Sequence, residues 1–225
     1  MSLIFVNEYN NGTRIGVWQM DNNTKMYDVC PVEVCNKLEK VCKTRQDETI
    51  AVYALLNKMI NRRVIVCHEE SGRPYLSYID KQEGGKESCN INISISHTRG
   101  YAAIILSNDA NAAIDMEYID PRVLRITSKF LKKEELNEIQ LYGDINTDND
   151  KIKDNRLIKA LLYWCAKETI FKYYSDSRLT FENIKVGPVF LDDKKNEFYS
   201  YNLINNERIK INYIINEKFI ITFAL

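Results

Sequence analysis

Histidine is scarce in this 225-residue chain, with His68 and His97 the only two. The six cysteines, Cys30, Cys35, Cys42, Cys67, Cys89 and Cys165, include no C-x-x-C pair. These shortages leave little material for a Cys/His zinc site. Glycines number eight and prolines four. The glycine-dependent phosphate loops G-x-x-x-x-G-K-[ST] and G-x-G-x-x-G are both absent, as is the G-x-S-x-G turn of a nucleophilic serine. Neither charge sign is in excess: Lys+Arg and Asp+Glu are both 31, and 13 of each fall in residues 1–110. A nonspecific nucleic-acid binder needs a basic surplus, so that class drops out, although a local basic cluster facing one small anion remains open. No apolar run approaches the roughly 20 residues that cross a bilayer. Met1 to Glu8 has no basic segment followed by an apolar one. The expectation is a cytoplasmic protein with reduced thiols.

The composition is that of a globular chain, 45% hydrophobic and 28% charged, of a length suited to one or two domains. Leu3–Val6 and Arg14–Trp18 read as strands around an Asn10-Asn11-Gly12 turn. Residues 31–43 and 46–60 carry helical spacing, the second through Ile50, Ala51, Ala54, Leu55 and Met59. Val64–Cys67 reads as a buried strand, and Ser71-Gly72-Arg73-Pro74-Tyr75 as a turn into another extended piece. Ile91, Ile93 and Ile95 alternate with Asn92, Ser94 and Ser96, predicting a half-buried strand that forms a hairpin with Tyr101–Ser107. Ala112–Glu117 is a third strand. Helices are expected over Pro121–Ile126, Lys132–Leu141 and Asn155–Tyr174. Strands are expected over Phe198–Leu203, Arg208–Ile215 and Phe219–Phe223. Mixed elements without regular βαβ alternation indicate an α+β fold. The polar window 143–155 reads as a loop. Asp144, Asn146 and Asp148 have the opening spacing of a calcium loop, but Asn149 and Asn155 fail its sixth and twelfth positions.

Four short constellations could carry chemistry. Asp115 and Glu117 lie two apart on a strand and share a face, with Ile114 and Met116 on the other. They are either exposed edge carboxylates or a pair bridged by a cation, and magnesium suits such oxygen donors. Leu157, Leu161, Trp164, Glu168 and Phe171 follow one helical stripe. Glu168 there is either half of a plain Glu–Lys pair with Lys172 or a partly desolvated functional carboxylate. His97 follows Ser96 at a strand end. In Gly72-Arg73-Pro74, glycine permits close backbone approach and arginine offers a forked donor for phosphate. Cys165 reads as a packed helix residue.

In chain order, Gly72-Arg73-Pro74, Ile95-Ser96-His97-Thr98, Ile114-Asp115-Met116-Glu117 and Trp164-x-x-Lys167-Glu168-x-x-x-Lys172 resemble the 4′-phosphopantetheinyl transferases, in particular the surfactin-type (Sfp-like) class. The resemblance runs from about Arg45 to Lys172. Ala113 stands where the family usually has Gly, and Thr169 where it has Ala or Ser. Tyr53 stands where a basic phosphate contact is often found, which leaves Arg45 as the main early cation.

The resemblance implies a pseudo-two-fold pair of similar α/β subdomains, an N-terminal one over 1–109 and a C-terminal one over 110–225 carrying the metal site, with the active site in the cleft between them. It implies transfer of the 4′-phosphopantetheine arm of coenzyme A to a serine of an acyl or peptidyl carrier protein, releasing 3′,5′-ADP. Asp115, Glu117 and Glu168 would hold Mg2+, with Glu168 also the general base and Lys172 offsetting developing charge. Arg45, Gly72, Arg73, Pro74, Ser96, His97, Lys167 and Lys172 would bind coenzyme A. The expected partner is an apo carrier of fatty acid, polyketide or nonribosomal peptide synthesis, met by a monomer through Arg122, Arg125, Lys129, Lys132 and Lys133, with no nucleic acid or membrane. Alternatives are a noncatalytic coenzyme A or carrier-binding module and a metal-dependent phosphohydrolase.

Overall fold

A computed structural model describes residues 2–21, 23–79, 85–109, 111–141, 149–191 and 195–225. The chain divides into two compact units, Met1–Ile114 and Asp115–Leu225. The architecture is α+β, as expected from the sequence.

The first unit contains β1 (Leu3–Glu8), β2 (Arg14–Gln19), α1 (Met26–Val29), α2 (Val32–Leu38), α3 (Lys43–Met59), β3 (Val64–His68), β4 (Pro74–Ile79), β5 (Lys86–Ser88), β6 (Asn92–Thr98) and β7 (Tyr101–Ser107). A four-stranded antiparallel sheet runs β1-β2-β7-β6, and a three-stranded one runs β3-β4-β5. Helix α3 packs on β2 and β7. Gly16 makes that approach possible, because a Cβ there would come within 2.9 Å of Leu55 Cδ2. The helix is buried beyond the expected stripe: Val52, Tyr53 and Leu56 are core as well as Leu55 and Met59. Tyr53 has a specific reason to be inside. Its hydroxyl accepts the Val66 N–H at 3.0 Å, tying α3 to β3, and burial pushes its pKa to about 12.

Strand β6 departs from the half-buried reading. Ser94 and Ser96 are buried like Ile93, so the polar face is covered too. Ser94 meets the cost of burial by accepting the Ile114 N–H at 3.2 Å.

After β8 (Ala113–Tyr118), the second unit continues through a 3-10 turn (Pro121–Arg125), α4 (Thr127–Phe130), α5 (Lys133–Leu141), α6 (Asn149–Tyr174), β9 (Ile184–Val186), β10 (Glu197–Asn202), β11 (Glu207–Ile215) and β12 (Phe219–Ala224). Its sheet order is β8-β12-β11-β10-β9. Helix α6 lies on β12. Their shared core includes Leu161, Leu162, Ala166, Ile170, Ile211 and Ile220. The expected loop over 143–155 is corrected at its end, where residues from Asn149 onward are helical. The positions Asp144, Asn146 and Asp148 lie outside the described residues. Among the described residues no helix is long and apolar enough to cross a membrane.

Candidate active site

The stripe that placed Glu168 needs correction. Phe171, its supposed apolar end, is 40% exposed, whereas Lys159, Cys165, Lys167 and Thr169 are buried. Helix α6 is covered on most of its circumference, and Glu168 stands half-buried at the rim of that cover. The desolvation inferred for it is nevertheless present. Burial, then the charge of Asp115, push its carboxyl up to about 7, with Lys172 opposing and Glu117 adding to the rise.

Strand β8 supplies the two other carboxylates. Its alternation predicts one core face and one polar face, but Asp115 is itself buried. The Lys172 ammonium donates to Asp115 Oδ1 at 2.8 Å, so this lysine joins α6 to β8. The Trp164 indole N–H donates to Glu117 Oε1 at 3.0 Å. Edge-on contacts to Phe130 and Phe181, with centroids at 5.0 and 5.5 Å, hold that indole in place. Asp115, Glu117, Glu168 and Lys172 are thereby brought into one electrostatic neighbourhood. Cys165 is a packed helix residue, fully buried beside it. Burial together with the charges of Asp115 and Glu117 raises its thiol well above the usual range, which keeps it neutral.

Whether these residues suit a divalent cation turns on their chemistry. Among the described residues no three His, Cys, Asp or Glu side chains form a ready group for a metal ion. The donor set itself fits a hard cation, because all three groups are carboxylates. Asp115 and Glu117 both raise the proton affinity of Glu168, and a bound cation relieves that repulsion as a proton does.

Lys167, proposed from the sequence as a coenzyme A contact, is engaged inside the second unit. It is buried, its ammonium 2.9 Å from Glu135 Oε2 and donating to the Ile184 carbonyl at 2.9 Å. Burial lowers its pKa and Glu135 partly restores it. The contacts of Lys167 are thus with Glu135 and the backbone before β9.

The remaining candidates lie in the first unit. Arg45, exposed in the first turn of α3, contacts Glu48 Oε2 at 3.3 Å, and His97 Nδ1 lies 3.4 Å from Glu48 Oε1. One carboxylate thus brings Arg45 and His97 together, and sequence reasoning missed it. Its spacing, three residues after Arg45 on a helix, was the available signal. Gly72 adopts φ +87° in the turn between β3 and β4, closed by the Glu69 N–H donating to the Arg73 carbonyl at 2.9 Å. Arg73 and Pro74 follow, half-buried, while Ser96 lies buried in β6.

A family model described as the 4′-phosphopantetheinyl transferase superfamily matches residues 112–224. That span contains Asp115, Glu117, Glu168 and Lys172 and omits the group around Glu48. No curated protein matches the chain at a significant level.

Proposed function

The chain belongs to the 4′-phosphopantetheinyl transferase superfamily, and from that premise we propose that it moves the 4′-phosphopantetheine arm of coenzyme A onto a serine of an apo acyl or peptidyl carrier protein, releasing 3′,5′-ADP. The observation that carries this reading is Glu168 held near pKa 7 beside Asp115 and Glu117. Burial and the neighbouring carboxylates favour proton uptake by Glu168 in the metal-free site. Glu168 accepts the proton of the carrier serine as its oxygen forms a bond to the phosphorus bearing the pantetheine arm. The bond from that phosphorus to the bridging oxygen breaks, and the pair leaves with 3′,5′-ADP. Lys172, already oriented by Asp115, offsets charge growing on the bridging oxygen. Asp115, Glu117 and Glu168 would hold Mg2+, which when bound polarises the pyrophosphate oxygens and neutralises the carboxylates.

Arg45 and His97 are the proposed contacts for the phosphates of coenzyme A, and Gly72, Arg73, Pro74 and Ser96 for its remainder. The surfactin-type subclass, action as a monomer, and the cytoplasmic setting belong to the same proposal. The test is mass spectrometry of apo carriers incubated with the protein, Mg2+ and coenzyme A. The expected result is a mass gain of one phosphopantetheine that disappears on chelation and returns with Mg2+. Coenzyme A binding without any mass gain across a carrier panel sinks the transferase reading in favour of a binding module.

A further inference from the structure

A buried charged pair with several partners, Glu135 and Lys167, includes the residue just before Glu168 in sequence. Glu135 and Lys167 are 2% and 0% exposed. Glu135 Oε1 accepts the Val186 N–H at 2.7 Å. Its Oε2 accepts the Lys132 N–H at 2.7 Å and lies 2.9 Å from the Lys167 ammonium. That ammonium also donates to the carbonyls of Ile184 at 2.9 Å and Phe181 at 3.5 Å. One pair of side chains therefore ties α6 to α5, to β9 and to the residues just before β9.

A buried ion pair is poor value as stabilisation, since apolar residues of the same volume are often as good or better. What apolar packing cannot supply is direction. Successive residues on a helix are rotated by about 100°, so pinning Lys167 sets the azimuth of Glu168. The opposing pins come from β8 and β12. Lys172 reaches Asp115, Trp164 reaches Glu117, and Thr169 Oγ1 lies 2.7 Å from Thr222 Oγ1. Glu168 sits within this set, its rotation fixed from more than one side.

We propose that Glu135 and Lys167 are positioning residues that fix the rotation of α6 and so hold Glu168 towards Asp115 and Glu117. This rests on the transferase reading above. A misplacement of about 1 Å in a reacting group can cost roughly a hundredfold in rate, so a small turn of α6 reaches the chemistry while leaving coenzyme A contacts in the first unit untouched.

The test replaces the pair together, Glu135→Leu with Lys167→Met, so that no buried charge is left alone. The expected result is a folded protein with kcat lowered ten- to a hundredfold, KM for coenzyme A within a factor of about two, and more Mg2+ needed for half-maximal rate. Trp164 emission, read in a Trp18→Phe background, is expected to shift, because the indole rides on the same helix. A matched control, Glu138→Gln with Lys159→Met, alters a second α5–α6 contact (4.0 Å) eight residues before Lys167, and is expected to keep kcat. If the double variant does not fold, Lys167→Arg provides the second route: it keeps the charge and is expected to keep Trp164 emission while retaining more rate than Lys167→Met. Wild-type protein that modifies no carrier overturns the functional reading and this inference with it. Active wild type with an E135L/K167M protein within threefold in kcat, or a control that loses rate equally, overturns the inference alone.

Discussion

The helices α3 and α6 occupy comparable places, each laid on an antiparallel sheet in its own unit, yet they handle charge in opposite ways. On α3 the charges stand at the exposed first turn, Arg45 with its side chain 57% exposed and Glu48 beside it, and the buried middle holds apolar side chains and Tyr53. On α6 charge is carried into the interior, with Lys159 and Lys167 among its largest fully buried side chains and Glu168 at the rim. An exposed pair is screened by water and contributes at most about 1 kcal/mol. A buried one holds its partners in fixed geometry, and losing one member costs about 3–5 kcal/mol. The lesson is that the second unit carries charged side chains into its core, whereas the first keeps Arg45 and His97 at its surface.

The sharpest test of that contrast is Glu168→Gln. The substitution is nearly isosteric and removes the base, so the transfer rate is expected to fall at least a hundredfold while the protein still folds and binds coenzyme A. A rate within a factor of about three of wild type is too small a loss for a general base, and it would sink the assignment.

Next in size is a paired stability measurement. Lys167→Met leaves Glu135 charged and buried, and is expected to cost about 3–5 kcal/mol in urea unfolding. Arg45→Ala is expected to cost under about 1 kcal/mol while raising KM for coenzyme A. Equal losses from the two would erase the distinction between the units.

Tyr53→Phe probes the interior of α3. It strips the acceptor from the Val66 N–H, an expected loss of about 1–3 kcal/mol, with KM for coenzyme A unchanged. A raised KM with unchanged stability would instead put Tyr53 among the ligand contacts.

Much of this was legible in the sequence, and the failures share a cause. The β6–β7 hairpin, α3 and the three C-terminal strands follow from periodicity and turns, which are local. The pairing of Asp115 and Glu117 on one strand followed from period two. Burial of Lys167, Asp115 and Ser94 was not legible, because each polar group contacts a residue far along the chain: Glu135, Lys172 and Ile114. A helix that buries paired charges has no clean apolar stripe, so the spacing through Phe171 misjudged its faces. The 3-residue strands β5 and β9 are too short to show a period at all.

A smaller effect concerns pH. The Glu168 pKa is raised in the fold, to about 7 from an ordinary 4.5, so the folded state holds a proton that the unfolded chain releases. The stability linked to that proton is fully present below pH 4.5 and is lost as pH rises through about 7. Relative to Glu168→Gln, the metal-free wild type is therefore expected to lose melting temperature between pH 4.5 and pH 8, and added Mg2+ to restore it at the upper end. Parallel profiles for the two proteins would mean that Glu168 titrates normally.

The smallest expected effect lies on the surface of the second unit, where charge behaves as it does at Arg45. Of the basic residues proposed to steer an acidic carrier, Arg122 is engaged with Asp120 at 2.9 Å, and the Lys132 ammonium donates to the Glu182 carbonyl at 2.5 Å. Arg125, Lys129 and Lys133 are exposed. Lys129→Glu with Lys133→Glu is thus the cleaner reversal, since it leaves the backbone contact of Lys132 to Glu135 in place. Exposed charges act within a Debye length of about 10 Å at 0.1 M salt, so the change is expected to raise KM for an acidic carrier several-fold at low ionic strength and to fade as salt is added. Turnover at saturating carrier should stay at the wild-type level, because neither lysine belongs to the Glu168 neighbourhood. A KM that does not move at low salt would place carrier docking elsewhere and leave these lysines as ordinary solvated charges.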